Sequence, residues 1–146
     1  MSGILVGIDG SNHSTLALEW AAHEASVRAV PLTVLTVQQL TAGYTGYALA
    51  YISDPEMIEQ ARKEAQQQVD KVLDRLTEAS RPPSVTVRAV VGLPADELLS
   101  AGAGADMIVV GSRGAGGFRR LLLGSVASQV AHHAHVPVVV VPAEAS

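Results

Sequence analysis

Apolar and polar positions along the chain alternate between two rhythms, short unbroken apolar runs and longer stretches with apolar residues at helical spacing. The runs Ile4 to Ile8, Leu32 to Val37, Val85 to Val91, Met107 to Val110 and Val136 to Val141 are rich in β-branched residues and bounded by Gly or Pro, the mark of buried strands. Between the first two, Ser11, Asn12 and Ser14 offer alternative N-caps for a helix in which Leu16, Trp20, Ala21, Ala25 and Val27 recur up to Arg28, with Trp20 expected in the core. Asp54-Pro55 starts the longest helix, whose apolar face is Ile58, Ala61, Ala65, Val69, Val72 and Leu76, through about Ala79. Pro82-Pro83 stops it. A short helix from Ala95 to Ala101 ends at Gly102 and Gly104, and the last runs from Ser125 to His133. Residues Gln38 to Ser53 hold three tyrosines and two glycines without a period, and are expected to form a long flap-like loop.

Unbroken apolar strands alternating with helices predict a parallel sheet covered on both faces. The expected fold is α/β, a doubly wound sandwich with a five-stranded parallel sheet, in one domain spanning 1–146. In such sheets a ligand binds beyond the carboxyl ends of the strands where the winding reverses. If the first strand is central with the fourth beside it, Asp9 and the stretch from Gly111 to Gly117 face each other there.

That stretch carries the candidate chemistry. Met107 to Val130 passes from a strand through a glycine-rich loop into a helix entered at Gly124-Ser125, with the spacing Gly111-x2-Gly114-x9-Gly124-Ser125. Glycines let backbone N–H groups approach a phosphate, and the first turn of a helix leaves N–H groups and a partial positive charge pointing at it. The pattern is neither a Walker A motif, which needs a lysine absent here, nor a dinucleotide fingerprint, which would follow the first strand.

The motif G-x2-G-x9-G-[ST], with the wording G-S-R-G-A-G-G-F and L-L-G-S-V, resembles the nucleotide-binding signature of the universal stress protein family. Similar segments recur in family order at Ile4 to Ser11, Leu32 to Val37, Val90 to Pro94 and Pro137 to Pro142. The resemblance implies a Rossmann-like, adenine nucleotide alpha hydrolase-like fold that binds ATP, with Mg2+ carried by the phosphates. By position, Gly7 and Asp9 would lie at the adenine and ribose end, and Val37 would offer backbone groups to the base. Gly111, Ser112, Arg113, Gly114, Ala115, Gly116 and Gly117 would wrap ribose and phosphates, with Gly124, Ser125 and Val126 at the terminal phosphates. The charge logic agrees, since Asp9 repels phosphate and suits ribose hydroxyls or the adenine amino group. A turn or cap role for Asp9 is the competing reading, as plain solvation is for Arg113, Arg119 and Arg120.

Composition narrows the partners. The 146 residues hold ten basic and fourteen acidic side chains, a net charge of −4, against the concentrated basic face that nucleic acid or an anionic membrane needs. Aromatic residues are 3%, so Val, Leu, Ile and Ala must build the core. The absence of cysteine excludes disulfides, thiolate zinc sites and cysteine nucleophiles. The N-terminal apolar run breaks at Asp9 without a basic lead, so a cytoplasmic protein is expected. His132, His133 and His135 straddle a helix end where the dipole already favours histidine, which weakens a metal reading. With no catalytic base evident, the expected function is an ATP-bound regulator with slow or no hydrolysis. The rivals are a nucleotide hydrolase or transferase using Asp9 or a loop residue as base, and an interaction module without nucleotide. A homodimer through the last strand is expected, both from its exposed apolar edge and from the resemblance.

Overall fold

The computed structural model describes residues 2–39, 55–113 and 123–143. Among them the order is β1 (Ile4–Ile8), α1 (Asn12–Arg28), β2 (Leu32–Gln39), α2 (Pro55–Asp74), a 3-10 turn (Glu78–Ser80), β3 (Val85–Gly92), α3 (Pro94–Ala101), β4 (Met107–Gly111), α4 (Ser125–His133) and β5 (Val138–Val141). The five strands form one parallel sheet in the order β3-β2-β1-β4-β5. The chain winds outward from β1 to β3, then crosses back to β4 on the other side of β1. The doubly wound fold expected from the pattern is therefore the fold observed, with the reversal between β1 and β4.

The period of two along each strand sorts the core onto two faces. Ile4, Val6, Ile8, Met107 and Val109 pack with α1 and α2, whereas Leu5, Ile108 and Val110 pack with α3 and α4. Ile4, Leu5 and Val6 are wholly buried, each such side chain contributing about 1.5–3 kcal/mol relative to exposure.

Helix α1 corrects the pattern read from its large side chains. Its buried face is Ser14, Ala17, Leu18, Ala21, Ala22 and Ala25, spaced i, i+3, i+4, i+7, i+8, i+11. Val27 lies two residues past Ala25, about 200° around the helix, and is 68% exposed. Leu16 and Trp20 fall on the flank, half-buried, and Trp20 touches the core from outside. Alanine has no side-chain bulk, so the helix lies close against the sheet on a stripe that carries little hydrophobic contrast. Ala29, with φ of 55°, closes the helix in the left-handed conformation and donates to the carbonyls of Ala25 and Ser26.

Helix α2 buries Ala61, Ala65, Val69 and Val72 as its spacing predicts. On its outer face the Arg62 guanidinium lies 2.7 Å from Glu59 Oε1 and, mainly through that hydrogen bond, holds the carboxyl below its ordinary range. The helix stops at Asp74, short of Ala79. The N–H groups of Arg75 and Leu76 tighten onto Val72 and Leu73, and Thr77 turns extended before the short 3-10 turn. Strand β5 starts at Val138 rather than Val136, because Pro137 has no N–H for the ladder, although its carbonyl still accepts from Ile108 at 2.9 Å. Gln38 and Gln39, expected to open the long loop, instead extend β2, paired with Val91 and Gly92 of β3; the rest of that segment, 40–53, and the Asp54 cap lie outside the described residues. No helix among those described is long and apolar enough to cross a membrane.

Candidate functional site

A cavity of about 320 Å3 opens at the carboxyl edge of the sheet, on the face covered by α3 and α4 and above the β1–β4 crossover point. Of the residues anticipated from sequence, Gly7, Asp9, Val37, Gly111, Arg113, Gly124, Ser125 and Val126 line it. Ser112 does not, because its hydroxyl accepts from the Ala143 N–H at 3.1 Å. Gly114, Ala115, Gly116, Gly117, Arg119 and Arg120 lie outside the described residues.

One end of the cavity is apolar. Leu35 and Val37 project from β2 at a spacing of two, and Pro94 and Leu98 come from α3 one helical turn apart. Gly7 forms the bare patch of β1 between them: a Cβ built there would sit 2.8 Å from Leu98 Cδ2, well inside contact distance. Leu35, Gln39, Pro94, Leu98 and Ser14 were not anticipated from sequence. Leu35 was recoverable from its period-two relation to Val37; nothing local marks the face of α3 that turns to the cavity.

The other end is the start of α4. Gly124, Ser125, Val126 and Ala127, the N-cap and the first three helical residues, all line the cavity. Gly124 has extended backbone (φ −67°, ψ 168°) and no side chain to cap the helix. Its own N–H donates to the Ser112 carbonyl at 2.6 Å, and its carbonyl accepts from Ser128 at 2.9 Å. The N–H groups of Ser125, Val126 and Ala127 are the first-turn donors for which an α-helix has no internal partner, and the helix dipole adds positive potential there. Beside this end Gly111 brings β4 close under α1, where a Cβ would stand 3.1 Å from the His13 carbonyl oxygen.

Asp9 takes the turn role that sequence set against a ligand role. Its Oδ1 accepts from the Ser11 N–H at 2.9 Å and the Ser11 hydroxyl at 2.5 Å, shaping the turn in which Gly10 takes φ of 84°. It also lines the cavity, as the one acid among the described lining residues, so the walls provide no carboxylate cage for a hard cation. Both lysines of the chain, Lys63 and Lys71, sit on α2 against the opposite face of the sheet, so no lysine is placed to clamp a phosphate. The His132 and His133 rings meet edge to face at 4.9 Å, and among the described residues no group of three or more potential ligands converges on a metal position.

Comparison with known proteins places this geometry. The model of the universal stress protein family matches residues 1–142. A universal stress protein of Mycobacterium tuberculosis is 35% identical over 153 residues, which cover 97% of this chain and 48% of that protein. The chain thus spans about half the length of such mycobacterial relatives. Among solved structures, UspA from Lactobacillus plantarum is 27% identical with a TM-score of 0.73, over 96% of this chain and 97% of that one. A universal stress protein in complex with cAMP is 26% identical with a TM-score of 0.61, over 97% of this chain and 96% of that one. With its sheet order, its glycine spacing and a family match running nearly end to end, this chain belongs to the universal stress protein family.

Proposed function

We propose that the cavity binds an adenine nucleotide, ATP with Mg2+ carried on its phosphates, as an effector that is turned over slowly or not at all. The observation that carries the reading is that one cavity joins an apolar slot, walled by Leu35, Val37 and Leu98, to a helix start without a side-chain cap at Gly124. The slot suits a flat base, and the helix start suits the triphosphate. Asp9 then serves the ribose or the adenine amino group, Val37 offers backbone groups to the base, and Gly111 and Arg113 flank the ribose and phosphates. Binding of cAMP by a relative of the same fold supports the adenine class. A regulator is favoured over an enzyme because the cavity presents no lysine and Asp9 is already engaged by Ser11.

The test is mass spectrometry of ligand released from natively purified protein, with calorimetry against ATP, AMP and cAMP. ATP is expected to bind with micromolar affinity, roughly −8 kcal/mol. Absence of binding to all three nucleotides overturns the reading, and turnover near roughly 10 per second overturns the regulator. The same reading includes a homodimer through β5, an edge strand of four partly buried valines. Sedimentation as a monomer at micromolar concentration would remove that part.

A further inference from the structure

Ser112 follows β4 directly and is buried, with 8% of its surface exposed, yet it does not line the cavity. Three of its polar groups reach two other parts of the chain. Its N–H donates to the Val141 carbonyl at 2.8 Å, its carbonyl accepts from the Gly124 N–H at 2.6 Å, and its hydroxyl oxygen accepts from the Ala143 N–H at 3.1 Å. Gly124 is the N-cap of α4 and so belongs to the phosphate end of the cavity. Val141 is the last residue of β5, and Ala143 lies two residues beyond it.

The backbone of Ser112 explains why a side chain is needed here. In the parallel register Ala143 carries the next N–H of the β5 chain that faces β4, and the Ser112 carbonyl that would receive it already accepts from Gly124. The Ser112 hydroxyl extends the ladder by that one bond. Resting on the nucleotide reading above, we infer that Ser112 is a positioning residue: it fixes the start of α4 against the end of β5, and so couples phosphate binding to the order of the chain around Ala143. A phosphate that takes the first-turn N–H groups of α4 stabilises the helix start that Ser112 anchors. Linkage is reciprocal, so whatever ATP adds to the Ala143 tie, the tie adds to ATP binding.

The full chain is compared with Ser112→Ala, which removes the hydroxyl and keeps both backbone bonds, and with Ser112→Thr, which keeps the hydroxyl. Amide exchange at Ala143 is read by NMR, and binding of ATP and of adenosine by calorimetry. Loss of one hydrogen bond is expected to speed Ala143 exchange about fivefold without ligand and to weaken ATP about fivefold. Adenosine, which has no phosphate, should bind Ser112→Ala as it binds the parent, and Ser112→Thr should restore the parent values. ATP should slow Ala143 exchange in the parent and leave it unchanged in Ser112→Ala. Equal weakening of ATP and adenosine would reduce Ser112 to a general support of the fold and overturn the inference. So would unaltered ATP affinity in Ser112→Ala while the parent binds ATP normally. A parent that binds neither compound sinks the nucleotide reading itself, and this inference with it.

Discussion

Two helices begin at the same edge of the sheet and treat their first turns in opposite ways. Helix α1 follows β1 and is closed by its own sequence: Ser11 Oγ accepts from the Ser14 N–H at 3.2 Å, and the Ser14 hydroxyl returns a bond to the Ser11 carbonyl at 2.9 Å. Helix α4 follows β4 and begins at Gly124, which has no side chain to offer. Both starts carry the same dipole and the same excess of N–H groups. The difference lies in one side chain: Ser11 takes a first-turn donor of α1, and Gly124 has nothing to take one of α4. A capped start favours stability; a bare one leaves donors aimed at the space between β1 and β4.

The sharpest way to break the contrast is Gly124→Glu, which sets a carboxylate where the proposed phosphates would lie. At about 4 Å and an effective dielectric constant of 20, two like charges repel by about 4 kcal/mol, so ATP affinity measured by calorimetry should fall roughly a thousandfold. The Gly124 backbone angles are open to any residue, so the melting temperature should hold. Retained ATP affinity would sink the phosphate assignment. Next in size is Gly7→Ala at the apolar end. The added Cβ must displace the Leu98 side chain, costing about 1–3 kcal/mol of stability in chemical denaturation and narrowing the base slot, so adenosine should weaken along with ATP.

Smaller effects sharpen the comparison from both sides. Ser11→Ala removes the cap of α1 and should cost about 1 kcal/mol of stability by denaturation. The reverse change, Gly124→Ser, gives α4 the cap that α1 has, for a stability gain of only a few tenths of a kcal/mol. Its hydroxyl would compete for the donors proposed for phosphate, so ATP should bind several-fold more weakly to a slightly more stable protein. Stronger ATP binding to Gly124→Ser would mean that the serine joins the ligand rather than the helix.

Strand positions and their parallel arrangement were legible because each rests on local chemistry. Proline and glycine cluster at the ends of elements, and unbroken valine runs need burial on both sides. Of the face expected for α1, Ala21 and Ala25 are buried, whereas Leu16, Trp20 and Val27 are not, for a physical reason. The residues that touch the sheet there are mostly alanines, chosen for close approach, while the larger Val27 and Leu16 stand off the contact stripe. The end of α2 was read too late because Leu76 still packs against the core after the helix has tightened and stopped at Asp74.

Ser112 marks the limit of local reading most clearly. Its position inside the glycine spacing makes it look like a ligand residue, yet its hydroxyl is taken by a backbone group 31 residues later in the chain. Sequence alone determined the element order and the two-faced sheet, since backbone preference and apolar period are properties of neighbouring residues. Tertiary structure decided that β1 and β4 lie side by side, that Leu35 and Leu98 share one wall with Gly7, and which hydroxyl meets which N–H. Those outcomes depend on contacts between residues far apart in the chain, where a side chain's partner is set by the packing of whole elements.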